Sequence, residues 1–225
     1  MIIKAARAWW KNAGTLAVAG LATYAVAIAI ACVAYMVIAP ISREIAGSVG
    51  TTVLIITYLL LGAAITKNTS EEKPTSIEQI IDNVRQSWAD IGIGVVFTMV
   101  PMIVGTLALV AAAVYSMSTG TEWAADVGLI VFICAYLTTV LLSLAPYIAA
   151  QKGWETAVKE AHTIGRRKYI TLFAVSIAFT VFYIIYVAFL PTAAGLLFAA
   201  ADAIAIMHIR NITYYEILDS VSTHE

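Results

Sequence analysis

Charged side chains are scarce in this sequence. Asp, Glu, Lys and Arg make up 12% of its 225 residues, whereas soluble domains carry about 25%. Hydrophobic residues reach 61%, and a soluble domain of this length has too little interior to bury them. The composition therefore excludes an ordinary soluble domain and predicts an integral membrane protein. The net charge of −1 provides no basic field, so we expect no nucleic-acid partner.

Cysteine and histidine are also rare, with two and three copies. Cys32 and Cys134 lie in separate apolar runs without a CxxC or Cys/His spacing, so we predict no metal site and expect two small buried side chains. The sequence contains no GxSxG, HExxH, P-loop or dinucleotide-binding motif. We therefore expect a protein that is not an enzyme and that needs no cofactor.

Long apolar runs are what the sequence has in abundance. A transmembrane helix needs about 20 mainly apolar residues, and the runs predict six such helices if the last run is divided at Pro191. The links after the first, third and fifth spans are short, so the fold is expected to be all-α with three helical hairpins. The predicted spans are residues 13–38, 46–66, 92–117, 127–149, 170–189 and 192–211.

Basic residues are distributed unequally between the two sides of these spans. The N-terminus, the second and fourth links and Arg210 hold 12 of the 13 Lys and Arg residues, and the opposite side holds Arg43. Lys and Arg favour the cytoplasmic side of a membrane. We therefore predict a protein integral to the cytoplasmic membrane with both termini cytoplasmic. In this assignment Arg210 and His208 lie at the cytoplasmic border.

The polar links share a pattern. Residues 76–88 place apolar side chains on one helical face, and shifts of 77 and −78 residues reach similar faces at 154–165 and 3–10. We interpret this as an interfacial amphipathic helix preceding each hairpin. The alternative is that any two amphipathic helices align in this way. The chain, 1–225, is then one polytopic membrane domain with candidate repeats 1–66, 73–150 and 152–215.

One stretch of the sequence resembles a known family. Leu144-Ala145-Pro146-Tyr147-Ile148-Ala149, followed by Gly153-Trp154-Glu155-Thr156-Ala157, is similar to the six-span membrane domain of some glycerophosphodiester phosphodiesterases and its stand-alone prokaryotic relatives. In that family a proline-containing run ends a span, and an interfacial helix of the Gly-x-Glu-x-Ala type follows. The resemblance implies the fold of this domain. It implies no catalytic residue, because the family's phosphodiesterase chemistry belongs to a separate soluble domain.

Asp202 is the candidate intramembrane polar site. It lies near the middle of the sixth predicted span, where a carboxylate costs roughly 2.5–3.5 kcal/mol on insertion scales. One interpretation is a proton or cation site. A second is a protonated or hydrogen-bonded carboxyl group that holds helices together. A third is that the sixth span is misplaced and Asp202 lies near the surface.

A basic cluster in the fourth link is the second candidate. Arg166, Arg167 and Lys168 are consecutive and precede the fifth span. They are candidate contacts for anionic lipid headgroups. The alternative is that they only determine topology.

The functional prediction combines these observations. The lack of catalytic motifs and the many small residues in the spans favour a non-enzymatic scaffold or accessory subunit that packs with membrane lipids and other membrane proteins. The alternative is a small transporter or channel that uses Asp202. The polar tail after the sixth span, which includes Tyr214, Tyr215, Glu216 and Asp219, is expected to cap the bundle or contact a partner.

Overall fold

The computed structural model describes residues 1–69, 74–189 and 193–222, and the regular structure in these ranges is entirely helical. The fold is therefore all-α. Pro191 and Lys73 lie outside the described residues. The helices are α1 (Ile2–Lys11), α2 (Ala13–Ile38), α3 (Arg43–Thr66), α4 (Ile77–Thr119), α5 (Trp123–Leu142), α6 (Ala145–Lys152), α7 (Trp154–Arg167), α8 (Tyr169–Phe189), α9 (Ala193–Ala201), a π-helix (Asp202–Ile206) and α10 (Met207–Ser222).

Four helical segments in the described ranges are long and apolar enough to cross a membrane. They coincide with the first four predicted spans and indicate a membrane protein. The fifth and sixth spans and the arrangement as three hairpins stay predictions. The four segments are Ala13–Ile38, Ile45–Thr66, Ile77–Thr119 and Trp123–Lys152.

Helix α4 corrects the prediction of a separate interfacial helix before the second hairpin. Residues 77–88 form the first turns of a continuous helix of 43 residues. At 1.5 Å per residue this helix is about 65 Å long, about twice the thickness of a bilayer's hydrocarbon core. The hydroxyl of Ser76 caps the helix by accepting the N–H of Gln79 at 3.1 Å. No strong helix breaker follows until Pro101, which lies inside α4, so the amphipathic turns and the span are not separated.

Helices α1 and α7 are separate, as predicted for the other two amphipathic segments. Each buries a face of small residues, with Ala5 and Ala8 on α1 and Ala157 and Ala161 on α7. The face of α1 packs against α10. The amphipathic pattern of α1 thus reflects a contact within the protein.

Pro146 divides the fourth predicted span, 127–149, into two helices. Helix α5 ends at Leu142, and α6 begins at Ala145 with Pro146 in its first turn. Proline has no N–H and would clash with the carbonyl four residues earlier, which is that of Leu142. The hydroxyl of Thr98 on α4 donates to this carbonyl at 3.0 Å. The break is therefore stabilised by a neighbouring helix, as a membrane interior requires.

The C-terminal segment forms the centre of the bundle. Helix α9, the π-helix and α10 follow one another without a break from Ala193 to Ser222, so the helix continues beyond residue 211, where the sixth span is predicted to end. Helix α10 contacts α1, α3 and α6. The predicted tail is therefore a core helix. Its completely buried side chains are Met207, His208, Asn211, Ile212, Thr213 and Ile217.

Both cysteines lie on the outside of the bundle. Cys32 on α2 and Cys134 on α5 are exposed and carry free thiols. The prediction that they are buried is therefore wrong. Their apolar runs supply the outer faces of these helices as well as the core.

Two glycines allow the C-terminal segment to approach α2 and α3. A β-carbon at Gly20 would collide with the carbonyl oxygen of Ala203, and one at Gly62 would lie 2.6 Å from the sulfur of Met207. Real β-carbons essentially never lie under 3.0 Å from such atoms. At Gly20 the added atom would meet backbone, so the C-terminal segment can approach α2 this closely only while that residue lacks a side chain. At Gly62 the added atom would meet the flexible side chains of Met207 and Asn211, which could shift.

Substitution at Gly20 should separate α2 from the central helix. We expect Gly20→Ala to lower the free energy of unfolding by about 1–3 kcal/mol because the added methyl group meets backbone. The matched control is Gly14→Ala, since nothing lies within 4 Å of that β-carbon. It should leave stability unchanged or raise it by up to about 1 kcal/mol. Thermal unfolding in detergent micelles measures both, and equal effects would contradict the close approach.

Candidate functional site

Asp202 is buried inside the bundle. Its side chain is 5% exposed, and the hydroxyl of Tyr58 on α3 donates to Oδ2 at 2.7 Å. The ring of Tyr24 on α2 packs edge-on against Tyr58, with the ring centroids 5.8 Å apart. Three helices thus meet at this carboxyl group. The hydrogen bond fits the interpretation of Asp202 as a group that holds helices together.

The π-helix begins at Asp202. The N–H of Met207 donates to the carbonyl oxygen of Asp202, which closes a turn wider than that of an α-helix. Single π-turns are rare and occur frequently at functional sites. The indole N–H of Trp9 on α1 donates to the carbonyl oxygen of Ile204 at 3.0 Å. The π-helix is thereby held by α1 as well as by the hydrogen bond between Tyr58 and Asp202.

His208 is fully buried rather than interfacial, so that prediction is wrong. Its imidazole lies beside Gly20, and the carbonyl groups of Leu16 and Ala203 are next to it. Neither ring nitrogen reaches hydrogen-bond geometry with any described residue. A buried polar group without a hydrogen bond costs about 1–3 kcal/mol. The imidazole is thus a polar group inside the packed core, with two backbone carbonyl groups close to its ring.

A tyrosine cluster joins α6 to the central helix. The hydroxyl of Tyr147 donates to Oδ1 of Asn211 at 2.7 Å. The ring of Tyr147 stacks on Tyr214 and packs edge-on against Tyr215, with both centroid distances at 5.0 Å. The hydroxyl of Tyr215 donates to the carbonyl oxygen of Ala63 on α3 at 3.0 Å. The residues predicted to lie in a polar tail therefore connect three helices.

Arg210 lies between helices of the bundle. It lines two crevices, one of about 140 Å³ beside α3, α4 and α6 and one of about 210 Å³ beside α5 and α8. Ser143 and Tyr214 line both crevices as well. The sequence carried one signal for this position: Arg210 and Tyr214 are four residues apart and share a helical face. Counting Arg210 as a topology-determining cation overlooked that signal.

The terminal helices meet at one end of the bundle. The ammonium group of Lys4 on α1 pairs with the carboxylate of Glu216 on α10 at 2.6 Å. Asp219 is exposed as a whole, but its carboxyl group is partly buried, and this burial raises its pKa. The neighbouring carboxylate of Glu216 also raises the pKa of Asp219. A hydrogen bond from Gln151 and the charge of Lys4 oppose this shift.

A second polar network closes the same end between α3 and α4. The ammonium group of Lys67 donates to the hydroxyl of Ser87 at 2.8 Å, and the amide of Asn83 donates to the Lys67 carbonyl at 2.9 Å. Partial burial lowers the pKa of Lys67, against the opposing charge of Asp90. These contacts tie the amphipathic start of α4 to the end of α3.

The basic cluster does not converge on one cavity. Arg166 and Arg167 are exposed at the end of α7, and Lys168 is half-buried. Arg167 lines a cavity of about 410 Å³ whose other charged residues are of both signs. They are Lys152, Lys159, Glu155 and Glu160, and Lys152 pairs with Glu160 at 2.8 Å. The mixed charge gives little preference for an anionic headgroup.

Comparison with protein-family models, curated proteins and solved structures finds no match. The resemblance to the membrane domain of glycerophosphodiester phosphodiesterases therefore stays a prediction. Within the described ranges, no group of three or more His, Cys, Asp or Glu side chains is placed to hold a metal ion. The candidate residues are thus those of the bundle interior: Tyr58, Asp202, His208 and Arg210.

The hydrogen bond between Tyr58 and Asp202 should stabilise the fold. We expect Tyr58→Phe to lower the free energy of unfolding by about 1–3 kcal/mol, because it removes a donor from a buried carboxyl group. In an Asp202→Ala background the same change should cost less, by a coupling energy of about 0.5–3 kcal/mol. Thermal unfolding in micelles of the parent, Tyr58→Phe, Asp202→Ala and the double variant completes this double-mutant cycle.

Tyr24→Phe is the matched control for this cycle. It removes a hydroxyl group from the neighbouring tyrosine and preserves the ring contact with Tyr58. Its stability should equal that of the parent. Equal costs for Tyr58→Phe in both backgrounds would show that the two side chains do not act together.

Proposed function

We propose that this is a non-enzymatic, six-span protein of the cytoplasmic membrane with both termini cytoplasmic. In this proposal it acts as an accessory or scaffold subunit that packs with lipids and other membrane proteins. The observation that carries the proposal is the filled interior of the bundle. The C-terminal helix occupies the centre, and Tyr58 holds the buried carboxyl group of Asp202. A packed centre favours a structural role over passage of a solute.

The contact between the terminal helices supports the topology. Lys4 and Glu216 pair directly, so both termini lie at the same end of the bundle. That arrangement fits an even number of spans. The sequence-based assignment places most Lys and Arg residues on the side of the termini, which favours a cytoplasmic location for that side.

The outer face of α4 supports packing within a membrane. Its exposed apolar residues recur every three or four positions and form one continuous face. A face of this kind contacts lipid or another membrane helix. Its members include Val96, Val100, Ile103, Val104, Leu107, Val110 and Val114.

Detergent-free isolation tests the accessory role. Native membranes are dissolved with a styrene–maleic acid polymer, and the discs that contain the protein are purified and analysed by native mass spectrometry. We expect the 24.1 kDa chain together with a second membrane protein in a fixed ratio. Another six-span protein isolated in the same way controls for bystander proteins. The chain alone with bulk lipid would contradict the accessory role.

A small transporter is the second candidate, and the π-helix favours it. Ionisable groups follow one another along the central helix from Asp202 through His208 to Asp219. This distance is about 25 Å, close to the thickness of the hydrocarbon core. A π-turn at the first of these groups could rearrange to let a proton or cation pass.

Proton flux into liposomes tests the second candidate. If Asp202 carries protons, parent protein should dissipate a pH gradient and Asp202→Asn should reduce the rate about tenfold or more. The control is Asp126→Asn, since that carboxylate is exposed at the start of α5. A pH-sensitive dye inside the liposomes measures the rate. Equal flux in parent, Asp202→Asn and empty liposomes would rule out this mechanism.

A further inference from the structure

We propose that Arg210, Ser143 and Tyr214 form the base of a crevice that binds a phosphate group. The phosphate belongs to a phospholipid headgroup or is free phosphate. The inference rests on the membrane location proposed above and adds a ligand class to it. These three residues line both of the crevices that meet at Arg210.

The depth of Arg210 makes its position informative. Gly62 packs against Asn211 and lies four residues before the end of α3, so the backbone at Arg210 is about 6 Å inside that end. Ser176, which lines the larger crevice, is seven residues beyond the start of α8, or about 10 Å along that helix. Arginine inside a membrane span is costly, so such a residue is retained where polar groups surround it.

Hydroxyl groups supply the rest of the polar lining. Tyr214 and Ser143 lie beside Arg210 in both crevices, and the other hydroxyl residues line one crevice each. The hydroxyls of Tyr214 and Ser176 are 3.4 Å apart, which is long for a bond between two hydroxyl groups. Both hydroxyl groups can therefore reorient toward a bound ligand. The remaining hydroxyl residues are Thr98, Thr139 and Thr180.

This set of groups matches an oxyanion with several oxygen atoms. A guanidinium group presents a planar fork of N–H donors that fits phosphate, and its charge is retained at every physiological pH. Serine, threonine and tyrosine hydroxyls can each donate one further hydrogen bond. A simple cation would be repelled by Arg210. Phosphate uses both the charge and the hydroxyl groups.

The outer walls of the crevices are apolar. Leu59, Val95 and Met99 line the smaller crevice, and Tyr136 and Phe179 line the larger one. A phospholipid could place its headgroup at Arg210 and its acyl chains along these walls. Free phosphate would use only the polar base, so the two sources can be separated by experiment.

The test uses purified, delipidated protein in neutral detergent micelles. Native mass spectrometry records binding of phosphatidylglycerol, of diacylglycerol, which has no phosphate, and of inorganic phosphate. The variants are Arg210→Gln and Arg210→Lys. The matched control is Arg166→Gln, which removes one positive charge from an exposed position. A thermal unfolding scan without ligand confirms that each variant is folded.

We expect the parent and Arg166→Gln to bind one phosphatidylglycerol or phosphate more tightly than Arg210→Gln, by a factor of about ten or more. Arg210→Lys should weaken binding less because the charge remains. Competition by inorganic phosphate would assign free phosphate as the ligand, and binding of phosphatidylglycerol without competition would assign the lipid. If Arg210→Gln does not fold, Ser143→Ala and Tyr214→Phe replace it with the same expectation.

Three results would overturn the inference. The first is equal binding by the parent and a folded crevice variant. The second is binding of diacylglycerol as tight as that of phosphatidylglycerol, and the third is no binding of either phosphate source. The assay uses the isolated protein, so a failure to bind phosphate does not contradict the accessory role. If the accessory role is contradicted instead, phosphate binding can still be measured in this assay.

Discussion

The contact between the C-terminal helix and two glycines determines how the rest of the bundle is arranged. Gly20 on α2 and Gly62 on α3 remove the β-carbons that would keep Ala203 and Met207 at a distance. Helices in lipid gain little from the hydrophobic effect, so close backbone packing is a main source of their association. Once the central helix is seated there, its side chains must find partners on every side. The position of Tyr58 against Asp202 follows from this contact.

Polar groups in such a centre are constrained by the absence of water. Each carbonyl and hydroxyl group there requires an internal partner, and the structure provides several across helix boundaries. Thr98 donates to the Leu142 carbonyl beside the Pro146 break, and Trp9 donates to the Ile204 carbonyl in the π-helix. Irregular backbone thus occurs where another helix compensates it. His208 departs from this rule, since its ring nitrogens lack hydrogen bonds from the described residues.

The sequence predicts the helical class and the first four apolar segments because a span needs a long apolar run, which composition reveals directly. It predicts interruptions less well. The amphipathic residues 77–88 and the following span are each recognisable, yet nothing in the pattern shows that they form one helix, α4. Pro146 is visible, but whether a proline bends or ends a helix depends on neighbours such as Thr98. The central role of α10 is hidden because its polar residues resemble those of an exposed tail.

Asp202 and Arg210 lie on the same continuous helical segment and differ in what surrounds them. Asp202 is buried against Tyr58, so its hydrogen-bonding capacity is used within the fold. Arg210 faces two crevices that share Ser143 and Tyr214, so groups of suitable chemistry adjoin a volume that a ligand can enter. Sequence reasoning weighs a residue by the cost of placing it in a membrane, which favoured Asp202. A binding site also requires space, and in the described structure the space lies beside Arg210.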